Sequence, residues 1–84
     1  MYFVYILLSN KDGRTYVGYT KDLKERLRLH NSGQVSATKH RRPLGIFLYE
    51  KFDSEQKAKC RELWWKSSSG RNKLKEIFRE RIDE

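Results

Sequence analysis

Tyr5 and Tyr16 stand on either side of an Asn10-Lys11-Asp12-Gly13 segment. Arg26 and His30 follow at i and i+4, and Glu62 comes later and alone. Each residue type can act on a phosphate ester. A phenol with cations beside it can take or pass on a proton. An arginine can grip a phosphate through two parallel hydrogen bonds, and a histidine can donate to it or move a proton. A lone carboxylate can hold one Mg²⁺, with water and substrate phosphate completing the octahedron. Taken singly, each has a plainer reading. Buried tyrosines are more often core than catalytic. An Arg/His pair on a helix is more often a solvated basic face, and Glu62 can pair with Lys59 or Lys66.

The elements that must position these groups are readable. Tyr2 to Ser9, rich in aromatic and branched residues, predicts a strand. Asp12-Gly13 is the strongest turn signal, and Arg14 to Thr20 returns as a second strand. A four-residue loop places Leu7 opposite Tyr16 and Tyr5 opposite Gly18. An even loop puts both tyrosines on one sheet face, whereas an odd loop separates them. Thr20 or Asp22 caps a helix to about Asn31, with Leu23, Leu27 and Asn31 along one side. Gln34 to Pro43 is a basic loop without periodicity. Leu44 to Phe52 predicts a third strand. Asp53 with Gln56 suggests a capping box for a second helix carrying Ala58, Glu62 and Trp65 on one side. Ser67-Ser68-Ser69-Gly70 is expected to break it. A last helix over about Arg71 to Ile82 turns Leu74, Ile77, Phe78 and Ile82 inward. The expectation is one α/β (α+β) domain over residues 1–84, in the order ββαβαα, with a three-stranded, largely antiparallel sheet flanked by helices.

The chain has 84 residues, 19 lysines and arginines against 11 acids, and a net charge of +8. That excess favours polyanions, nucleic acid first and an acidic membrane surface second. One cysteine, Cys60, excludes an internal disulfide and points to no oxidising compartment. The longest apolar run, Val4 to Leu8, is too short to span a bilayer, so a cytoplasmic protein is the default expectation.

In combination, Phe3-Val4-Tyr5, Tyr16-Val17-Gly18, Arg26, His30, Asn31, Gly33 and Glu62 resemble the GIY-YIG endonuclease family, in particular its small stand-alone bacterial members. Lys39 with Arg41-Arg42-Pro43 resembles their basic loop, and Arg61-Glu62, Lys66 and Gly70-Arg71 their distal segment. Phe3 stands where the first motif has glycine. Asn72 is a candidate for a late asparagine of the family. The resemblance implies hydrolysis of a DNA phosphodiester through one divalent metal, Mg²⁺ or Mn²⁺. In that scheme Glu62 anchors the ion. Arg26 neutralises charge on the non-bridging oxygens. Tyr5 is the general base, Tyr16 orients the water or shares the proton, and His30 contacts the phosphate or relays the proton. Lys39, His40, Arg41, Arg42, Lys66 and Arg71 are candidates for contacts to the DNA backbone, which give affinity without reading sequence. Cleavage of low intrinsic sequence specificity, structure specificity, or delivery by a partner follows, in repair or recombination, by a monomer or weak homodimer. The scheme requires Tyr5, Tyr16, Arg26 and Glu62 to line one basic cleft.

Three other readings compete. A non-catalytic nucleic-acid-binding module of the same fold shares every basic residue, with Trp64 and Trp65 available for stacking. A zinc module would need Cys60, His30 and His40 and lacks a fourth soft ligand. A protein–protein adaptor would expose one tryptophan, since adjacent helix positions diverge by about 100°.

Overall fold

A computed structural model describes residues 1–82 of the chain; the expected inward placement of the Ile82 side chain lies outside the described residues. The order is β1 (Tyr2–Ser9), β2 (Thr15–Thr20), α1 (Leu23–Asn31), β3 (Leu44–Phe52), α2 (Glu55–Lys66) and α3 (Ser68–Ile82). This is the predicted ββαβαα. The strands form an antiparallel sheet in the order β2-β1-β3.

The hairpin has the four-residue loop. Ser9 and Arg14 face each other, with the Ser9 N–H donating to the Arg14 carbonyl at 2.9 Å. Tyr5 lies opposite Gly18 and Leu7 opposite Tyr16. Ser9 is buried beneath the turn, where its hydroxyl accepts from Lys11 and Asp12 N–H groups and donates to the Arg41 carbonyl. Between Ile6 and Leu7 the β1–β3 register shifts by one residue, leaving Phe47 as an extra residue on β3.

Helix ends differ from expectation in two places. Asp22 caps α1, accepting from the Glu25 N–H at 3.0 Å. The cap of α2 is Ser54, not Asp53, and it accepts from the Lys57 N–H. The Asp53 carboxylate instead meets the Lys57 ammonium, so the expected capping box is not built. The break between α2 and α3 is Ser67 alone, and Gly70 lies inside the first turn of α3. A Cβ at Gly70 would run into the Trp64 carbonyl and the Trp65 backbone, so this glycine serves close helix contact, not termination.

Alternation along β1 divides the molecule. Val4 and Ile6 point toward α2 and α3 and pack with Ala58, Trp65 and Leu74. Ile77 and Phe78 pack at the margin of that layer. Tyr5 and Leu7 point toward α1 and pack with Leu44, Tyr16, Leu23 and Leu27. Asn31 closes the α1 side, its amide donating to the Leu44 carbonyl and accepting from the Leu44 N–H, each at 2.8 Å. The two tryptophans diverge as helix geometry requires: Trp65 is buried, and Trp64 is half-buried beneath the Arg61 guanidinium.

Candidate active site

Tyr5 is held from three sides. Its ring crosses Gly18 on β2, where an added Cβ would sit 2.5 Å from the phenol oxygen. No other residue leaves that passage open. The hydroxyl shares a 3.1 Å hydrogen bond with His30 Nε2, and His30 Nδ1 shares one of 2.8 Å with the Thr38 hydroxyl. Tyr5 is 2% exposed, and His30 and Thr38 are fully buried. Tyr16 lies against the same cluster, its ring centroid 5.0 Å from that of His30. Every buried side-chain N and O among the described residues has a partner, so this polar cluster carries no orphaned group.

This geometry bears on two expected roles. His30 does not present itself to a phosphate, because it has no exposed surface and both ring nitrogens are engaged. Burial pushes the Tyr5 phenol well above the ordinary tyrosine value. Tyr16 adds to that, Arg26 pulls the other way, and Glu62 adds again. Arg26 alone does not offset the burial, so the Tyr5 phenol rests protonated. The same burial, followed by the Arg26 charge, holds the His30 imidazole below its usual value and therefore neutral at pH 7. Thr38 was not singled out in the sequence. It is one hydroxyl in an aperiodic loop, and only the path of that loop reveals its partner.

A cleft of about 610 Å³ opens where β2 forms one edge of the sheet. Tyr5, Tyr16 and Gly18 reach it from the sheet, Arg26 from α1, and Glu62 from α2. Residues from both faces therefore meet around this edge. The Glu62 side chain is 18% exposed, and Lys66 stands 3.5 Å from one of its oxygens. The surface pairing weighed for Glu62 and its position in the cleft both hold. The expected positive lining does not: Lys21 and Arg26 face Asp22, Glu25, Glu55 and Glu62. Glu25 is taken up by Arg28, and Glu55 by Lys59. The net charge of the chain lies outside the cleft.

A family model for the GIY-YIG catalytic domain matches residues 1–75. The chain belongs to the GIY-YIG family. It is 42% identical over 77 residues to a UPF0213 protein of Staphylococcus saprophyticus, covering 90% of this chain and 93% of that one. It is 36% identical over 81 residues to a UPF0213 protein of Bacillus velezensis, covering 95% and 81%. The solution NMR structure of a UPF0213 protein from Bacillus halodurans superimposes with a TM-score of 0.54 at 33% identity, covering 92% and 85% of the two chains. The fold expectation holds on both grounds. GIY-YIG is a nuclease-type family, its domains bind nucleic acid, and its nucleases typically use divalent metals.

The donor chemistry of the GIY-YIG cleft fits a hard, heavily hydrated cation. Glu62 offers one carboxylate to a solvent-open cleft, which suits Mg²⁺ held through one carboxylate and several waters. No group of three or more His, Cys, Asp or Glu side chains able to hold a metal occurs among the described residues. The zinc-ligand set is not assembled either: His30 spends both nitrogens on Tyr5 and Thr38, and Cys60 lines a different groove.

The remaining site candidates lie outside the cleft. Lys39, His40 and Arg42 line a separate depression with Lys11 and Asn31. Arg41 points elsewhere. Its guanidinium pairs with Asp12 at 3.0 Å and donates to the Thr15 carbonyl, so it ties the loop to the hairpin and is not a free phosphate ligand. Arg71 lines a groove with Arg14 and Lys75 near the hairpin turn. Asn72 is exposed on α3 and is not part of the cleft lining. No helix among the described residues is long and apolar enough to cross a membrane.

Proposed function

We propose that this protein is a metal-dependent DNA endonuclease of low intrinsic sequence specificity, cutting phosphodiester bonds in the cleft at the β2 edge. The observation that carries this reading is the convergence of Tyr5, Tyr16, Arg26 and Glu62, from four different elements, on that one cleft. Glu62 would hold Mg²⁺ or Mn²⁺. When bound, the ion supplies positive charge against the phosphate and a water of lowered pKa. The acidic lining suits the cation first, and DNA is then drawn by Arg26, Lys21 and the cations around the rim.

Arg26, half-buried beside the phenols, meets the charge that builds on the non-bridging oxygens. Tyr16, on the cleft wall, orients the attacking water. Tyr5 serves as a relay. In the neutral tautomer with Nδ1–H donating to the Thr38 hydroxyl, His30 would turn its Nε2 lone pair to the Tyr5 hydroxyl. As the water proton moves to Tyr5 Oη, the phenol proton moves to His30 Nε2, and no isolated phenolate forms. The water oxygen bonds to phosphorus, the bond to the 3′-oxygen breaks, and that oxygen leaves with the bonding pair and takes a proton from solvent in the open cleft. Thr38 acts through His30 as a positioning residue. Lys39, His40, Arg42, Lys66 and Arg71 contribute backbone phosphate contacts. A cytoplasmic protein working in DNA repair or recombination, as a monomer or delivered by a protein partner, accords with this activity.

The test is cleavage of supercoiled plasmid, single-stranded and branched DNA with Mg²⁺ or Mn²⁺. Wild type is expected to cut, and chelation to stop it. Glu62→Ala and Arg26→Ala should bind DNA, stay folded and fail to cut. A wild type that binds every substrate and cuts none would leave the non-catalytic binding module in its place.

A further inference from the structure

The two sheet faces are unequally covered. Two helices cover the Val4 side, whereas the Tyr5 side has only α1. Beyond α1, toward the free edge of β3, Ile46 is 39% and Tyr49 49% exposed. The extra residue at Phe47 is what brings these two onto one face. Phe47 turns to stack on Phe78 beneath the sheet, while Ile46 and Tyr49 both face the α1 side. The Phe3 ring lies 6.1 Å from that of Tyr49, tilted by 59°.

These aromatics floor a groove of about 540 Å³ with Lys21, Lys24 and Lys51 along it. Lys21 and Asp22 line both this groove and the active-site cleft, so the two run into each other around the start of α1. The only acid of the groove among the described residues, Asp22, is occupied as the α1 cap. An uncovered sheet face with aromatics and lysines suits a polyanion whose flat groups can stack. It suits a second copy of this chain poorly. The rim lysines would be buried against one another, and lysines at a sheet edge oppose edge-to-edge pairing.

We infer that this groove holds unpaired nucleotides of the DNA strand flanking the cleaved phosphate, with a base stacked on Tyr49 and Phe3 and backbone phosphates against Lys21, Lys24 and Lys51. A fully paired duplex offers no free base face at this position. The protein therefore selects DNA with an unpaired stretch next to the cut. This inference rests on the reading of the cleft as a DNA site.

Binding is measured without divalent metal, so that cleavage plays no part. The probes are a single-stranded oligonucleotide carrying 2-aminopurine and a blunt duplex of the same sequence. Tyr49→Ala should weaken single-strand binding about tenfold and lose the 2-aminopurine quenching. Tyr49→Phe should keep both, and duplex affinity should change by less than about twofold, since no base stacks there. Matched melting temperatures control for folding, since Tyr49 is half exposed. The inference is overturned if Tyr49→Ala leaves single-strand affinity intact, or weakens both DNAs alike. It is also overturned if the substitution changes only the sedimenting species, which would assign the face to a second copy. Plasmid cleavage with Mg²⁺ by wild type is scored separately. A wild type that cuts but does not quench 2-aminopurine removes this inference alone, and one that quenches but does not cut removes the nuclease reading alone.

Discussion

On one face of β1, Val4 and Ile6 meet Ala58, Trp65 and Leu74 in an apolar layer; on the other, Tyr5 lies between a neutral buried histidine and a glycine that makes room for its ring. Adjacent residues of one strand thus serve opposite ends. The first face gains chiefly from burial, and its side chains must above all match in volume. On the second, every polar atom must find its partner, because an unpaired group there is costly and a displaced one is useless. The difference teaches where substitutions should act. Changes in the apolar layer of the Val4 side, as distinct from Glu62 at the cleft, should alter stability and leave the cleft chemistry of the folded molecules alone. Changes on the Tyr5 side should alter chemistry at smaller cost to the fold.

The largest effect should come from the apolar side. Trp65 is 3% exposed and its indole N–H donates to Glu50 Oε1 at 2.8 Å. Trp65→Ala should cost about 3–5 kcal/mol in chemical denaturation, while cleavage per folded molecule stays near wild type. A Trp65→Ala protein that is stable but inactive would break the comparison. On the polar side, Gly18→Ala should displace the Tyr5 hydroxyl from His30. Misplacement on that scale should lower cleavage about 100-fold, with the overpacking costing about 1–3 kcal/mol. Unchanged cleavage by Gly18→Ala would show that the Tyr5 position does not matter.

A smaller and pH-dependent effect separates the faces further. His30 titrates below its usual value in the folded protein, so the unfolded chain takes up the proton first as pH falls. The stability linked to neutral His30 is therefore complete above about pH 6.5 and is lost as pH drops through the folded value. The melting temperature should fall as the pH drops below about 6.5 and be flatter in His30→Gln. An equal slope in both proteins would place the proton uptake elsewhere. The smallest effect concerns the basic loop. Lys39→Ala should reduce the salt slope of DNA binding by about one, whereas Arg41→Ala, already paired with Asp12, should leave it near wild type. Equal slopes for the two variants would undo that assignment.

The sequence carried the strands well because strand period and turn chemistry are local. An Asp-Gly turn and alternating residues put Tyr5 and Tyr16 on one face for any even loop, and the four-residue loop then sets Tyr5 opposite Gly18. Helix faces were legible for the same reason, which put Glu62 beside Ala58 and Trp65. Three features were not. Thr38 depends on how an aperiodic loop folds back over α1. The displaced residue at Phe47 breaks the alternation from which a face is read. The sign of the cleft depends on Asp22, Glu25 and Glu55, which line it beside Glu62. The Asp53 cap failed because two adjacent cap-forming residues competed, and the neighbouring lysine drew the aspartate away.

The most direct measurement of the central claim, that the Tyr5 face of β1 does the chemistry, is the single-turnover rate of Mg²⁺-dependent DNA cleavage by Tyr5→Phe, normalised to folded protein. Removing one hydroxyl keeps the ring over Gly18 and takes away the link to His30, so the rate should fall about 100-fold or more. A Tyr5→Phe protein that cuts DNA as fast as wild type would contradict the account.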